Sequence, residues 1–192
     1  MDQLNLTIDV TSKETIQNSF DRIAKDLILN WQLKINDMLF TFTEIEFYYY
    51  YEGIHEDIAT HKHKYDKGQW RIHRQGLDIT FQWSDISDGG ILIRGLKSEN
   101  GYINGPLRVL ETIFKNFNPV IVIQQQFGLI PKLSGNSTEI FKTERHGLST
   151  TLQNFYSDAL YRYYVDLADW KNIHVSFSEK AKIKLKSLRV EI

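Results

Sequence analysis

A glutamate within an apolar, aromatic segment is the feature of this chain that most suggests chemistry. Glu46 lies in T-E-I-E-F-Y, residues 43–48, and Arg94 follows an apolar run in G-G-I-L-I-R-G-L-K, residues 89–97. A carboxylate in apolar surroundings costs free energy unless a partner or a chemical role compensates for the lost water. A carboxylate, an arginine and aromatic rings together suit a pocket that holds and attacks a nucleobase.

The spacing of the glutamates allows two interpretations. On an ideal strand Glu44, Glu46 and Tyr48 share one face, and two carboxylates on one face would raise the pKa of one of them. That pairing is typical of a functional cleft. The alternative places both glutamates on the solvent face of a half-buried strand, and the residues alone leave this alternative open.

The elements that must position these residues are predicted from periodicity. Apolar residues at helical spacing predict a helix over 14–30, with Thr11 or Ser12 as its N-cap. S-D-G-G at 87–90 predicts a turn, and Gly105-Pro106 predicts the start of a helix over 107–117. Alternation and β-favouring residues predict strands at 4–10, 32–35, 38–51, 70–74, 77–83, 90–96, 119–123 and 180–190. We predict loops at 52–68 and 131–150, and 151–165 fits either a helix or a strand. The sum is a single α+β domain over 1–192, with a mixed, mainly antiparallel sheet and a few flanking helices.

The composition excludes several classes of function. The 192 residues include no cysteine, so disulfides, thiolate nucleophiles and cysteine-ligated zinc are excluded. No signal-peptide pattern and no apolar run of membrane-spanning length is visible, so we expect a cytoplasmic protein without a membrane partner. The net charge of −1 provides no overall attraction to nucleic acid.

Histidines near the middle of the chain raise the alternative of a metal enzyme. His61-Lys62-His63 would place both imidazoles on one face of a strand, with further histidine and aspartate residues close in sequence. Zinc or iron needs several such ligands in a defined geometry, and no established metal motif is present. We therefore predict no metal and no cofactor, and keep the metal enzyme as the less favoured alternative.

Cationic and aromatic residues interleave in the same region. Cations suit phosphates and rings suit bases, so this composition is typical of a nucleic-acid contact. A solvated loop and hairpin edge is the alternative. The predicted contact residues are Lys62, Lys64, Tyr65, Lys67, Arg71 and Arg74, and Trp70 is a further candidate.

The order of these motifs resembles the alkyladenine (3-methyladenine) DNA glycosylases. That family has an E-T-E-A-Y strand, a following D-x-x-x-H, a hairpin, a strand of the form V-L-L-R-A-L-E-P and a G-P-x-K-L helix start. The matching segments lie at 44–48, 57–61, 68–76, 91–96 and 105–110, with weaker matches at 144–148 and 161–164.

The resemblance implies roles for several residues. Glu46 matches the general base that activates water, and Arg94 matches an arginine near the catalytic centre. Tyr48 and His61 match the residues that stack on a base flipped out of the duplex. Gln82 stands near the family's base-reading asparagine, and Trp70 opens the hairpin, so we assign both to substrate binding.

The chain also departs from the family pattern. Four extra residues separate Glu46 from His61, and Gln75 stands near the position of the tyrosine that wedges into the duplex. Our primary expectation is a monomeric glycosylase that excises alkylated or deaminated purines from duplex DNA without a cofactor. The departures favour the alternative, a nucleic-acid-binding module that kept the fold and lost or altered the chemistry.

Overall fold

The computed structural model describes residues 3–133, 138–148, 156–165 and 188–190, which form two α-helices and eleven β-strands. The helices are α1 (Lys13–Asn30) and α2 (Pro106–Lys115). The strands are β1 (Trp31–Ile35), β2 (Met38–Tyr51), β3 (His55–Glu56), β4 (Trp70–His73), β5 (Gly76–Thr80), β6 (Ser87–Ser98), β7 (Gly101–Asn104), β8 (Phe127–Pro131), β9 (Ile140–Thr143), β10 (Arg162–Val165) and β11 (Leu188–Arg189).

All eleven strands belong to one antiparallel sheet. Its main path runs β11-β9-β10-β2-β6-β5-β4. The long strand β2 pairs with β6 on one side and with β1 and then β10 on the other, so it is the centre of the sheet. The α+β prediction, with a mainly antiparallel sheet and few helices, is confirmed.

Helix α1 covers one face of the sheet. Ser12 is its N-cap, and a capping box joins Ser12 and Thr15 through reciprocal hydrogen bonds of 3.0 and 3.1 Å. The buried face of the helix includes Phe20, whose ring stacks on Phe47 of β2 at 4.6 Å between centroids. Phe47 alternates with Glu46 along the strand, so the apolar face of β2 turns toward α1 and its polar face turns away.

Two predicted strands are wrong, because other hydrogen bonds replace the ladder that a strand would need. Residues 4–10 form no regular element: Arg22 of α1 donates to the carbonyls of Asn5 and Thr7, which leaves this segment bound to the helix. Residues 119–123 form an exposed loop, where Val122 N–H donates to the Pro119 carbonyl at 2.8 Å. Proline lacks the donor that a ladder requires.

Other local predictions have mixed outcomes. The helix at 14–30 and the strands at 32–35 and 38–51 are confirmed. The predicted strands at 70–74 and 77–83 form the β4–β5 hairpin, but the turn lies at 74–75 and β5 ends at Thr80. The turn at 87–90 is wrong, since these residues begin β6. Strand β9 lies inside the predicted loop at 131–150. Of the ambiguous 151–165, residues 151–155 lie outside the described residues, and 162–165 form strand β10. Of the predicted strand at 180–190, all but 188–190 lies outside the described residues. Among the described residues, no helix is both long and apolar enough to cross a membrane.

Candidate functional site

The candidate site lies on the face of the sheet opposite α1. Strand register places Glu46 of β2 beside Leu92 of β6, Leu92 beside Asp78 of β5, and Asp78 beside Arg71 of β4. Four strands therefore contribute one row of side chains. An acid at one end of the row and a charged pair at the other enclose an apolar centre.

Glu46 is fully buried and heavily hydrogen-bonded. Its Oε2 accepts from the Tyr48 hydroxyl at 2.8 Å and from Arg94 Nη1 at 3.3 Å, and its Oε1 accepts from the main-chain N–H of His146 at 2.8 Å. A carboxylate has about four acceptor positions. The described residues fill three of them. The expectation of a solvent-face glutamate is therefore wrong for Glu46.

Glu44 is the second buried carboxylate, and it holds two arginines. Its Oε1 accepts from Arg94 Nε at 2.9 Å and from Arg162 Nε at 2.8 Å. An irregular register between β2 and β6 at this point lets Glu44 face Gly95, where an added Cβ would lie 3.0 Å from the Glu44 Cβ. Burial tends to lower the pKa of Arg94, but the charges of Glu46 and Glu44 outweigh it and raise that pKa. Arg94 is therefore a permanently charged bridge between both glutamates.

Tyr48 lies between the acid and a third arginine. The Arg145 guanidinium carbon lies 4.6 Å from the Tyr48 ring centre and 5.4 Å from that of Tyr161. Arg145 Nη1 also donates to Asp57 Oδ2 at 2.6 Å, and both side chains are completely buried. Burial, followed by the negative charge of Glu46, raises the pKa of the Tyr48 hydroxyl well above its usual value. Tyr48 therefore stays protonated and keeps donating to Glu46.

A pocket of about 240 Å³ opens beside this cluster. The Tyr48 ring forms one wall, Leu92 and Leu148 supply apolar contacts, and His61 comes from the loop that follows β3. A concave site that combines apolar walls with polar side chains is typical of small-molecule binding. The complete lining is Tyr48, Ala59, Thr60, His61, Arg71, His73, Gln75, Asp78, Gly89, Gly90, Leu92, Gly147 and Leu148.

The far wall of the pocket carries a second charged group. Asp78 accepts from Arg71 Nη1 at 3.0 Å and lies 2.9 Å from His73 Nε2. Burial lowers the pKa of His73, but the hydrogen bond and charge of Asp78 outweigh burial and raise that pKa overall. His61 stands edge-on to His73 with ring centres 6.3 Å apart, and burial followed by the Arg71 charge lowers its pKa.

Two glycines let the backbone form part of the lining. Gly89 has a φ of 149°, and a Cβ there would overlap the Tyr48 carbonyl oxygen. At Gly90 a Cβ would lie 3.0 Å from the Ile79 carbonyl oxygen. A contact of that length is tighter than ordinary packing, so the bare backbone keeps this part of the pocket open. In the sequence, the Gly89-Gly90 pair predicts a turn, and its role at the pocket was therefore missed.

Two predicted substrate-binding residues lie away from the pocket. Gln82 is exposed and ties the surface loop together, since its amide donates to Asp66 Oδ1 at 3.1 Å and its carbonyl accepts from the Lys67 N–H at 3.3 Å. The Trp70 ring packs against Phe127 at 4.8 Å between centroids. The structure therefore brings Tyr48 and His61 together at the pocket, but not Gln82 or Trp70. Glu46 and Arg94 lie behind the pocket wall, where Glu46 accepts from the Tyr48 hydroxyl and from Arg94.

Of the predicted nucleic-acid contacts, Arg71 lies in the pocket lining and the others are exposed. Arg74 lies in the turn between β4 and β5. Lys62, Lys64, Tyr65 and Lys67 are exposed on the loop that also carries His61. Asp88 fixes that loop, because it accepts from the His63 N–H at 2.5 Å and lies 3.0 Å from His63 Nε2.

The histidines do not assemble into a metal centre within the part of the chain that the structure describes, where no group of three or more His, Asp or Glu side chains is arranged to hold an ion. His55 is instead a core residue. Its Nδ1 donates to the Tyr49 carbonyl at 2.8 Å, and its Nε2 lies 2.7 Å from the Tyr161 hydroxyl.

Sequence reasoning missed the residues that complete the site from distant parts of the chain. Asp78 and His73 are in the predicted hairpin, where their alternation with Leu77 and Ile72 was visible but their shared face was not. Arg145 and Arg162 stand in motifs that matched a family but had no assigned role. Their contribution depends on β9 and β10 docking beside β2.

A comparison of the chain with models of known protein families found no match, and a comparison with curated proteins found none either.

Proposed function

We propose that this protein excises damaged purines, alkylated or deaminated, from duplex DNA by hydrolysing their N-glycosidic bond. The observation that carries the proposal is the direct link between acid and pocket: the Glu46 carboxylate binds the hydroxyl of Tyr48, whose ring forms a pocket wall. A base stacked on Tyr48 would have its sugar close to Glu46.

In this mechanism the duplex must first release the base. Unstacking a nucleotide costs roughly a few kcal/mol, which stacking on aromatic faces offsets. Tyr48 and His61 provide these faces at the pocket. The exposed lysines of the 62–67 loop would hold the flanking phosphates, and binding should weaken steeply with salt in consequence.

Hydrolysis then depends on Glu46. Its remaining acceptor position would orient a water toward the sugar carbon, and its charge would stabilise the positive charge that develops on the sugar as the bond breaks. Arg94 and the main-chain N–H of His146 fix the orientation of the Glu46 carboxylate. The leaving base takes its electron pair, and the water supplies the hydroxyl of the product sugar and the proton for the base.

The test is base release from duplexes carrying one hypoxanthine or one alkylated adenine, measured with protein in excess. Wild type should release the base, and Glu46→Gln should be slower by roughly 100- to 10,000-fold, the usual contribution of a general base. Glu44→Gln is the matched control, because it neutralises a buried carboxylate bound to the same arginine without touching Tyr48. Thermal unfolding of all three proteins separates lost chemistry from lost folding. Equal rates for wild type and folded Glu46→Gln would reject the mechanism.

A second candidate function is binding of damaged DNA without excision. The burial of Glu46 favours it, because three donors already occupy the carboxylate and it has no exposed surface. This candidate predicts that wild type and Glu46→Gln bind a damaged duplex equally well, more tightly than undamaged DNA, and that neither releases a base.

A further inference from the structure

The wall of the pocket opposite Glu46 has a geometry suited to reading a base. Adjacent strands lie about 4.8 Å apart, so the register Glu46–Leu92–Asp78 separates the glutamate and aspartate backbones by about 10 Å, with Leu92 midway. A planar ring lying over Leu92 with its glycosidic bond toward Glu46 would direct its opposite edge at Asp78 and Arg71.

Arg71 is held in place for such a contact. It stands directly opposite Asp78 in the β4–β5 ladder and donates to Asp78 Oδ2 through Nη1. A guanidinium carries five N–H donors, so an arginine that lines the pocket and is fixed through one nitrogen can present others to a ligand. Its side chain is only 14 % exposed, which limits competition from water.

The wall as a whole offers donors more than acceptors. Asp78 already receives Arg71 on Oδ2 and faces His73 Nε2 with Oδ1. The charge of Asp78 is thus offset by one permanent cation and one histidine whose pKa is raised. Such a wall favours a neutral base with acceptor atoms on its edge and disfavours a base that carries a positive charge.

We propose that Arg71, positioned by Asp78 and His73, is a specificity-determining residue that selects purines with a carbonyl oxygen at ring position 6. Arginine pairs with the O6 and N7 acceptors of an oxopurine through two parallel hydrogen bonds. The inference rests on the proposed function, which it narrows: deaminated purines become the preferred substrates over alkylated adenines.

The experiment measures binding to three duplexes that differ in one nucleotide, which carries hypoxanthine, adenine or unsubstituted purine. Each is placed opposite an abasic analogue, so that pairing strength does not contribute, and each has a 2′-fluoro sugar that resists cleavage. Unsubstituted purine keeps N7 and lacks only the oxygen at position 6. Wild type should therefore bind the hypoxanthine duplex roughly 10- to 150-fold more tightly than the unsubstituted purine duplex, the range expected for one hydrogen bond to a charged donor.

Substitutions then separate base reading from phosphate binding. Arg71→Gln should reduce the preference to nearly one, and Arg71→Lys, which keeps the charge but loses the fork, should reduce it in part. Lys67→Gln, on the exposed loop, is the control and should weaken binding to all three duplexes alike. Thermal unfolding verifies that each variant is folded.

Two results would overturn the proposal: a wild-type preference near one, or an Arg71→Gln variant that binds all three duplexes more weakly in the same proportion. The second result would make Arg71 a phosphate contact. Base release from ordinary 2′-deoxy duplexes is measured in parallel, so that the test of base reading by Arg71 is separate from the test of excision. A preference for the hypoxanthine duplex without base release would support base reading and reject excision. Base release without that preference would reject base reading alone.

Discussion

The buried Asp57–Arg145 pair offers the sharpest test of how the site is held together. Both side chains are completely inaccessible to water, and Arg145 also donates to the carbonyls of Phe47 and Tyr156 at 3.2 and 3.1 Å. Asp57 Oδ1 accepts from the Ala59 N–H at 3.1 Å. One ion pair thus connects the central strand, the segment that ends at β10 and the loop that carries His61.

The expected magnitude follows from removing one charge while leaving the shape intact. Asp57→Asn is nearly isosteric and can keep the bond to Ala59, so it leaves the Arg145 cation buried without its counter-charge. Breaking a buried pair in this way costs about 3–5 kcal/mol. Domain stabilities are typically about 5–15 kcal/mol, so the variant should remain folded but lose a large part of its stability.

Urea unfolding of a double-mutant cycle measures this cost. We expect Asp57→Asn and Arg145→Met each to be strongly destabilising, and the double variant to be less destabilised than the sum of the two by about 1–3 kcal/mol. The exposed pair Glu111–Lys115 is the control, since its side chains are 61 % and 70 % accessible. Glu111→Gln should cost far less than Asp57→Asn, because water screens the exposed pair.

Additive effects of Asp57→Asn and Arg145→Met on the free energy of unfolding would contradict this expectation. A loss of less than about 1 kcal/mol for Asp57→Asn would also contradict it, because a buried charge without its counter-charge costs more than that. A loss in Asp57→Asn equal to that in Glu111→Gln would show that water reaches the pair in solution.

Three further predictions concern other parts of the molecule. Burial lowers the pKa of His55, so the folded protein binds fewer protons at this residue than the unfolded chain does. The contribution of neutral His55 to the free energy of unfolding is therefore complete above the ordinary pKa of 6.5 and declines as the pH falls below it. Urea unfolding should show that this residue lowers the free energy of unfolding by at most about 1.4 kcal/mol between pH 7.5 and 5.5. The pH dependence should be smaller in His55→Gln, and an unchanged pH dependence in that variant would contradict the assignment to His55. Gly90→Ala should cost about 1–3 kcal/mol through its contact with the Ile79 carbonyl and should narrow the pocket, whereas Gly128→Ala, which meets nothing within 4 Å, should be almost neutral by thermal unfolding. Ser12→Ala removes the cap of α1 and should lower the free energy of unfolding by about 0.5–2 kcal/mol; an unchanged midpoint in urea would show that the capping box is dispensable.

Sequence patterns predict best the helices and strands whose conformation is determined by residues within the element or next to it. Helix α1 was predictable within one residue of its start because its apolar spacing and its capping residues agree. Strand β2 was predictable because its fourteen residues strongly favour β structure. The loop at 119–123 was not, since its apolar residues remain exposed and amide side chains of Asn118 and Gln125 bind its ends.

The candidate site was predictable only in its local part. Glu46 and Tyr48 share a face because they are two residues apart on one strand, and that relation is visible in any sequence. The partners Arg145, His146 and Arg162 are about one hundred residues away, and their place depends on which strands pair. Asp78 and Arg71 face each other because of a hairpin register that propensities do not specify.

The order of the strands in the sheet also has a consequence for how the chain folds. Helix α1 and the β1–β2 hairpin are local, but Glu44 and Glu46 acquire their distant partners only when β6, the 145–146 segment and β10 have closed loops of about 50 to 120 residues. Contacts between residues so far apart in sequence form slowly, because the entropy of loop closure must be overcome first. The acid at the centre of the candidate site should therefore remain hydrated through the early stages of folding, and its dehydration should accompany the final, slow assembly of the sheet.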